Sequence, residues 1–234
     1  VLNYVRVEYT GNSINADKEH NGFTFNGVGS ATKVEYLQAY MGNDDGFEFF
    51  GGSVDTKYLV STGSKDDSFD WTQGWVGTSS YWYAEQANDL GDRGIEADNN
   101  GDNNAATPFS NPTISNITLK GNGATSSDDG IRLRVGTKAA LSNVMIDNFG
   151  GKGIQVKDDQ TGLNVNDGSL TVTNIASTNS SDFAFPDNVT ADKKFTNGTT
   201  ATGSGSSWMS GWTKELSADK KVTVATKLTE LSAK

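Results

Sequence analysis

Acidic side chains recur at a fixed place in a short motif and are the residues of this chain best suited to chemistry. In each copy a Gly or Ser precedes an apolar–polar–apolar triplet, and the polar member is Glu48, Asp70 or Glu96 in three successive copies. Further carboxylates stand just before the Gly or Ser, at Asp44, Asp45, Asp66, Asp67 and Asp92. Because Ca²⁺ takes six to eight oxygen ligands in flexible geometry, we predict a Ca²⁺ site formed by Glu48, Asp70, Glu96, Asp45, Asp67 and Asp92.

A second candidate Ca²⁺ site is the run of alternating acids and amides from Asp98 to Asn104, with Asp98 and Asp102 as its carboxylate ligands. Its match to a Ca²⁺-binding EF-hand loop is poor, since the sixth position is Asn103 instead of Gly and the twelfth is Phe109 instead of Glu. A plain turn is the alternative reading of this run.

The motif belongs to an internal repeat that must position these side chains. Six copies are centred on Gly22, Gly46, Ser68, Gly94, Gly130 and Gly153, at spacings of 24, 22, 26, 36 and 23 residues, and a weaker seventh copy spans 182–185. A second set of strand-like segments runs in step with the first and begins at Tyr4, Tyr36, Tyr58, Trp82, Asn116, Asn143 and Asn174. Two short strands repeating at a nearly fixed offset describe one rung of a stacked solenoid.

The period-two alternation within each copy predicts an all-β, right-handed parallel β-helix of about six to seven rungs. Two columns of apolar residues would stack inward, and one outward column would contain Thr24, Glu48, Asp70, Glu96, Arg132 and Gln155. We expect the Gly before each strand to allow a corner with positive φ, and we expect Asn116, Asn143 and Asn174 to form an amide ladder. An antiparallel sandwich is the alternative fold, but its strands need not repeat with similar sequence.

The repeat predicts three segments along the chain. Residues 1–185 would form the β-helix, residues 186–207 a loop or linker rich in Gly, Ser, Thr and Asn, and residues 208–234 a tail that caps an open end of the helix. The tail contains two tryptophans and a strand-like stretch over 221–226.

Composition limits the partners and the compartment. The formal charge is −10, and an acidic surface gains nothing from releasing the counterions of phosphates, so we expect no nucleic-acid partner. The chain has no cysteine and no apolar run long enough to span a membrane. Val1 begins directly on a strand-like pattern, so we expect a processed, secreted product whose targeting segment is missing. The lone histidine, His20, cannot build a multi-histidine metal site and is expected to be solvated.

Three adjacent carboxylates on neighbouring rungs must be compensated. At a rung spacing of about 4.8 Å each pair repels by roughly 3 kcal/mol at an effective dielectric constant near 20. A bound cation, a shared proton or neutralisation by Arg132 would each relieve this repulsion, and a solvated acidic strip is the plainer reading. Trp75 and Trp82 lie in an aromatic-rich stretch. They are candidates for a sugar-binding surface, or for the underside of a covering loop.

The runs Asp44–Gly52, Asp66–Thr72 and Gly91–Asn99, with Trp208–Trp212, resemble a group of bacterial secreted or lipid-anchored surface proteins with pectate-lyase-like β-helix repeats. The resemblance covers most of the chain. It implies a β-helix and an extracytoplasmic location, at the cell surface or secreted, without an established activity.

Three functions remain open at this point. The favoured one is a non-catalytic surface module, structural, adhesive or glycan-binding, which contacts a polysaccharide or another cell-surface component and is stabilised by Ca²⁺. The second is a Ca²⁺-dependent lyase or hydrolase of acidic glycans, by looser kinship with polysaccharide lyases, in which Arg132 would be the base. The third is a subunit that self-associates into a surface layer or filament.

Overall fold

The computed structural model describes residues 1–12, 19–88, 90–123, 128–180 and 182–216 of the chain. Its strands form two parallel sheets. The larger sheet stacks β1 (Leu2–Glu8), β3 (Val34–Tyr40), β5 (Thr56–Thr62), β7 (Thr78–Glu85), β9 (Thr113–Lys120), β11 (Ala139–Asp147) and β13 (Leu170–Thr178). The smaller sheet stacks β2 (Phe23–Asn26), β4 (Phe47–Phe50), β6 (Phe69–Thr72), β8 (Ile95–Ala97), β10 (Ile131–Leu133) and β12 (Ile154–Val156).

Successive strands along the chain alternate between the two sheets, which is the topology of a parallel β-helix and confirms the predicted fold. The smaller sheet has the predicted register: Phe47 pairs with Phe23 and Phe69, and Ile131 pairs with Ile95 and Ile154. Six strands in one sheet and seven in the other agree with the expected rung count. The weak seventh motif also joins the stack, through a parallel bridge between Gln155 and Ala184.

Stacked rings fill the N-terminal half of the core. Phe47 lies between Phe23 and Phe69, with ring centroids 5.0 and 5.5 Å away, and Trp82 stacks on Phe69 at 4.3 Å. Smaller aliphatic residues continue the same columns toward the C-terminus, where Ile95, Ile131 and Ile154 are all fully buried. A single rung cannot bury such a face alone. Each inner rung is stabilised by a neighbour on both sides, and each outermost rung by one neighbour only.

The glycines before the short strands are required for a different reason from the one the sequence suggested. Gly46 and Gly130 do not have positive φ, so the expected conformational role is wrong for them. A Cβ on Gly46 would stand 2.6 Å from the carbonyl oxygen of Ser68, and one on Gly130 would stand 2.7 Å from that of Gly153. Close approach of the next rung therefore demands the missing side chain.

Positive φ occurs instead at one position in every strand of the larger sheet. That column contains Tyr4, Tyr36, Tyr58, Tyr81, Asn116, Asn143 and Asn174, with φ between 49° and 62°. The predicted asparagine ladder is confirmed, since Asn143 donates to the side-chain oxygen of Asn116 at 2.8 Å and Asn174 donates to that of Asn143 at 3.2 Å. In β7 the sequence alignment is wrong by one residue: Trp82 pairs with Leu59 inside the core, and Tyr81 continues the tyrosine column.

The rest of the described chain follows the last rungs. A short helix, α1 (Asp159–Asn166), is capped at its N-terminus by Asp158, whose side chain accepts a hydrogen bond from the Thr161 amide. Two one-turn helices follow at Ala191–Lys193 and Ser207–Met209. Residues 208–216 run along the side of the larger sheet, and the remainder of the predicted tail, with 221–226, lies outside the described residues. The limits 1–185, 186–207 and 208–234 stay predictions. None of the described helices is long and apolar enough to cross a membrane.

Candidate functional site

The predicted acidic column is present on the outer face of the smaller sheet. Glu48 of β4 pairs with Asp70 of β6, Asp70 pairs with Glu96 of β8, and Arg132 of β10 follows Glu96. The alternation of each short strand turns the flanking apolar residues inward and leaves these three carboxylates on the same outer face. We call Glu48, Asp70 and Glu96 the acidic column.

Aspartates at the corner before each short strand hold successive rungs together. The side chain of Asp45 accepts a hydrogen bond from the backbone amide of Asp67 at 3.0 Å, and Asp67 accepts one from the amide of Arg93 at 2.7 Å. Asp129 repeats the contact with the amide of Lys152, also at 2.7 Å. One oxygen of each corner aspartate is therefore used structurally. The recurrence of Asp directly before the Gly or Ser of the motif is the sequence signal for this role, whereas the sequence analysis predicted Asp45 and Asp67 only as cation ligands.

Asp45, Glu48 and Asp70 form a compact carboxylate trio at one end of the acidic column. One oxygen of each lies within 4.8 Å of the other two. Among the described residues, no cationic side chain comes within ion-pair distance of the trio. Oδ1 of Asp70 is buried without a hydrogen-bond partner, whereas Glu48 accepts a hydrogen bond from the side-chain amide of Asn21.

Burial dominates the electrostatics of the trio. It raises the pKa of Glu48 to about 7, and the hydrogen bond from Asn21 opposes this only in part. The pKa values of Asp45 and Asp70 are likewise raised well above the ordinary aspartate value, first by burial and then by the negative charge of neighbouring carboxylates. A group of acids with raised pKa values must hold protons or a cation near neutral pH.

The other end of the acidic column is neutralised by arginines. Nη1 of Arg93 lies 3.1 Å from Oε1 of Glu96, and Arg134 forms a second ion pair with the same carboxylate. Nε of Arg134 also donates to Asp98 at 2.7 Å. Burial raises the pKa of Glu96, and the two guanidinium groups oppose that rise. The sequence predicts uncompensated negative charge along the whole acidic column. In the described structure this charge is confined to the trio, because the arginines neutralise Glu96.

The remaining predicted cation ligands lie in different surroundings. Asp92 approaches Asp66 and Asp67 at the corner, and its side chain is ion-paired with Arg93. Neither Asp98 nor Asp102 belongs to a described group of three clustered acids. In the loop after β8, Asn100 accepts hydrogen bonds from the amides of Asp102 and Asn103, which is the geometry of a turn.

Arg132 pairs with a corner aspartate, and the two tryptophans lie in the core. Nε and Nη2 of Arg132 both contact Oδ2 of Asp129, at 2.9 and 2.8 Å, so this guanidinium is held by a carboxylate. Trp75 and Trp82 are 0% exposed and stack in the core. The exposed aromatic surface considered for these two positions is therefore not formed by them: the one-residue change of register turns Trp82 inward, and Trp75 stacks on Phe49.

Comparison with known proteins agrees with this architecture. A family model described as "Pectate-lyase like beta helix domain" matches residues 1–214. No curated protein and no solved structure matches the chain.

Proposed function

Since the chain belongs to the family of pectate-lyase-like β-helix domains, we propose that it serves as a non-catalytic module of a secreted or surface-attached bacterial protein, stabilised by Ca²⁺ at the carboxylate trio. The family supports the β-helix itself. The cation and the setting outside the cytoplasm are parts of the proposal.

The observation that carries the proposal is the carboxylate trio, which has no cationic partner among the described residues. Glu96, two rungs from Glu48 in the same column, has two arginines as partners, whereas no described cationic side chain pairs with Asp45, Glu48 or Asp70. Carboxylates on adjacent rungs destabilise the sheet unless something compensates their charge. A divalent cation at the trio would compensate it and would also give Oδ1 of Asp70 a partner.

The chemistry of the donors favours Ca²⁺ over other metals. Asp45, Glu48 and Asp70 offer only hard oxygen atoms, and Ca²⁺ accepts mono- or bidentate carboxylates together with water in flexible geometry. Zn²⁺ and Cu²⁺ are usually held through imidazole or thiolate groups. Cysteine is absent from the chain, and the only histidine, His20, is exposed.

The proposed setting is one in which Ca²⁺ is abundant. Extracellular modules bind Ca²⁺ with dissociation constants of about 10⁻⁴ to 10⁻³ M. We expect affinity in this weak range, because Oδ1 of Asp45 already accepts a hydrogen bond from the Asp67 amide. The proposed partner is a polysaccharide or another component of the cell surface. Self-association stays a prediction, which size measurements at varied Ca²⁺ concentration test.

Calorimetric titration with CaCl₂ tests the cation site directly. We expect the wild-type chain to bind Ca²⁺, Asp70→Asn to lose the binding, and Asp102→Asn to retain it, because Asp102 is exposed and outside the carboxylate groups. Absence of heat with wild-type protein, or equal binding by Asp70→Asn, would remove Ca²⁺ from the proposal.

A further inference from the structure

The segment of residues 197–214, called the strap, contacts every strand of the larger sheet. It starts at the C-terminal rung and returns along the side of the stack to the first rung. From these contacts we propose that the strap is a clamp that couples the two ends of the β-helix, so that the rungs open together instead of unravelling from an end.

At the C-terminal rungs the strap is fixed by hydrogen bonds. Asn197 accepts from the backbone amide of Ser177 in β13 at 2.8 Å, and Thr200 donates to Asn174 at 2.9 Å. The amide of Thr202 then donates to Asn143 in β11 at 2.9 Å. One strand further on, the amide of Ser204 donates to the Thr118 hydroxyl in β9 at 2.9 Å.

Over the N-terminal rungs two tryptophans replace these hydrogen bonds. Trp208 lies against Tyr58 and Tyr81, with ring centroids 5.1 and 6.3 Å away. Trp212 meets Tyr36 and Tyr4 edge-on, at 5.6 and 6.1 Å. The column that changes from asparagine to tyrosine along the larger sheet therefore matches the change from hydrogen bonds to ring contacts in the strap.

The first strand receives the last contacts. Arg6 of β1 donates to the carbonyl oxygen of Trp212 at 3.2 Å, and Nζ of Lys214 lies 2.7 Å from Oε2 of Glu8. Lys214 is also fixed to β3, where its backbone amide and carbonyl bond the side chain of Gln38 at 2.8 and 2.7 Å. Contacts spanning 206 residues thus hold β1, which among the described strands of its sheet pairs only with β3.

The physical consequence concerns cooperativity. In a stacked repeat each unit touches only its neighbours, so an end can open at the cost of one interface. With the strap in place, opening of β1 also breaks the ring contacts of Tyr4 and the ion pair of Glu8. The outer strand becomes as protected as its neighbours only while the strap is attached.

Hydrogen–deuterium exchange of the full chain tests the clamp. Trp212→Ala should raise amide exchange in β1 and β3 about tenfold, the factor expected when two aromatic contacts are lost. Trp212→Phe should restore most of the protection. The control Leu163→Ala, at a side chain 51% exposed on α1, should leave β1 unchanged. Unchanged exchange of β1 in Trp212→Ala would overturn the proposal.

A second measurement uses the wild-type chain and needs no variant to fold. Trp71, Trp75 and Trp82 are fully buried, so iodide quenching of tryptophan fluorescence follows Trp208 and Trp212 while the core is intact. If the strap is a clamp, quenching and the loss of β-sheet circular dichroism rise together on heating. If quenching rises at temperatures well below the melting temperature of the sheet, the strap does not couple the rungs and the proposal is wrong.

Discussion

Glu48 should make the stability of the chain depend on pH in a way that Ca²⁺ removes. Its pKa is about 7 in the folded chain and 4.5 ordinarily. Between these values the folded chain holds a proton that the unfolded chain releases. Without a divalent cation, the contribution of Glu48 to the free energy of unfolding is therefore fully present below pH 4.5 and is lost as the pH rises through 7.

The difference between the two pKa values corresponds to about 3 kcal/mol, at about 1.4 kcal/mol for each pH unit. Glu48 is half-buried, and solvent screening reduces the contribution to about 2 kcal/mol. For a chain of this size each kcal/mol moves the melting temperature by about 2–4 °C. We therefore expect Glu48 to account for a fall of about 4–8 °C between pH 5 and pH 8 in EDTA.

Thermal melts of wild type and Glu48→Gln at both pH values measure this contribution. The variant cannot ionise, so its melting temperature should fall less than that of wild type. Adding Ca²⁺ at pH 8 should restore the wild-type value and leave the variant nearly unchanged. Asp102→Asn is the control and should behave as wild type. Equal losses in wild type and Glu48→Gln would refute the assignment of a raised pKa to Glu48 and with it the idea of an uncompensated trio.

Three further predictions concern the buried Trp82, the asparagine ladder of the larger sheet and the expected absence of lyase activity. Trp82→Ala should lower the free energy of unfolding in urea by about 3–5 kcal/mol, because it empties a fully buried site, and Tyr81→Ala should cost clearly less; equal costs would contradict the register of β7. Asn143→Ala should destabilise the chain by about 2 kcal/mol, because the side chain loses its hydrogen bonds to Asn116, Asn174, Thr202 and Gly203 and alanine then stands at φ 55°. Asn143→Gly separates the two causes, since glycine adopts this φ without strain. Incubation with uronate polymers should give no ultraviolet absorption from unsaturated products; their appearance would favour the lyase alternative instead.

Much of the fold could be predicted because the repeat carries it. The period-two alternation sets which residues of each short strand face inward, and similar copies stack in register because like residues pack best on like. The sequence alone therefore predicts that Phe23, Phe47 and Phe69 share one column. The same argument placed Glu48, Asp70 and Glu96 on a common outer face.

The candidate site was predicted less completely. Sequence patterns show that carboxylates stack but not which of them meet a cation. Arg93 occupies the corner position that aspartate fills at Asp45 and Asp67, and only the folded chain brings its guanidinium to Glu96. Arg134 joins it from the next rung. These two side chains divide the acidic column into a neutralised end and an uncompensated one.

Register in the longer strands was beyond the sequence as well. Tyr81 and Trp82 are both aromatic, and the spacing between repeats varies. Either residue could therefore align with Tyr58 of the preceding rung. Burial of the larger indole against Phe69 decides it. The positive φ of the column of tyrosines could not be predicted, because residues other than Gly, Asn and Asp rarely adopt it. The stacking of the tyrosine rings must compensate the backbone strain.

Local patterning thus determined the β-helix and the acidic column, since both follow from alternation and repetition over a few residues. The tertiary structure alone decided the carboxylate trio, the inward turn of Trp82 and the strap, because each depends on contacts between residues far apart in the chain. Lys214 and Glu8 meet across 206 residues. No local preference of either residue specifies that contact; it exists because the strap returns along the whole length of the stack.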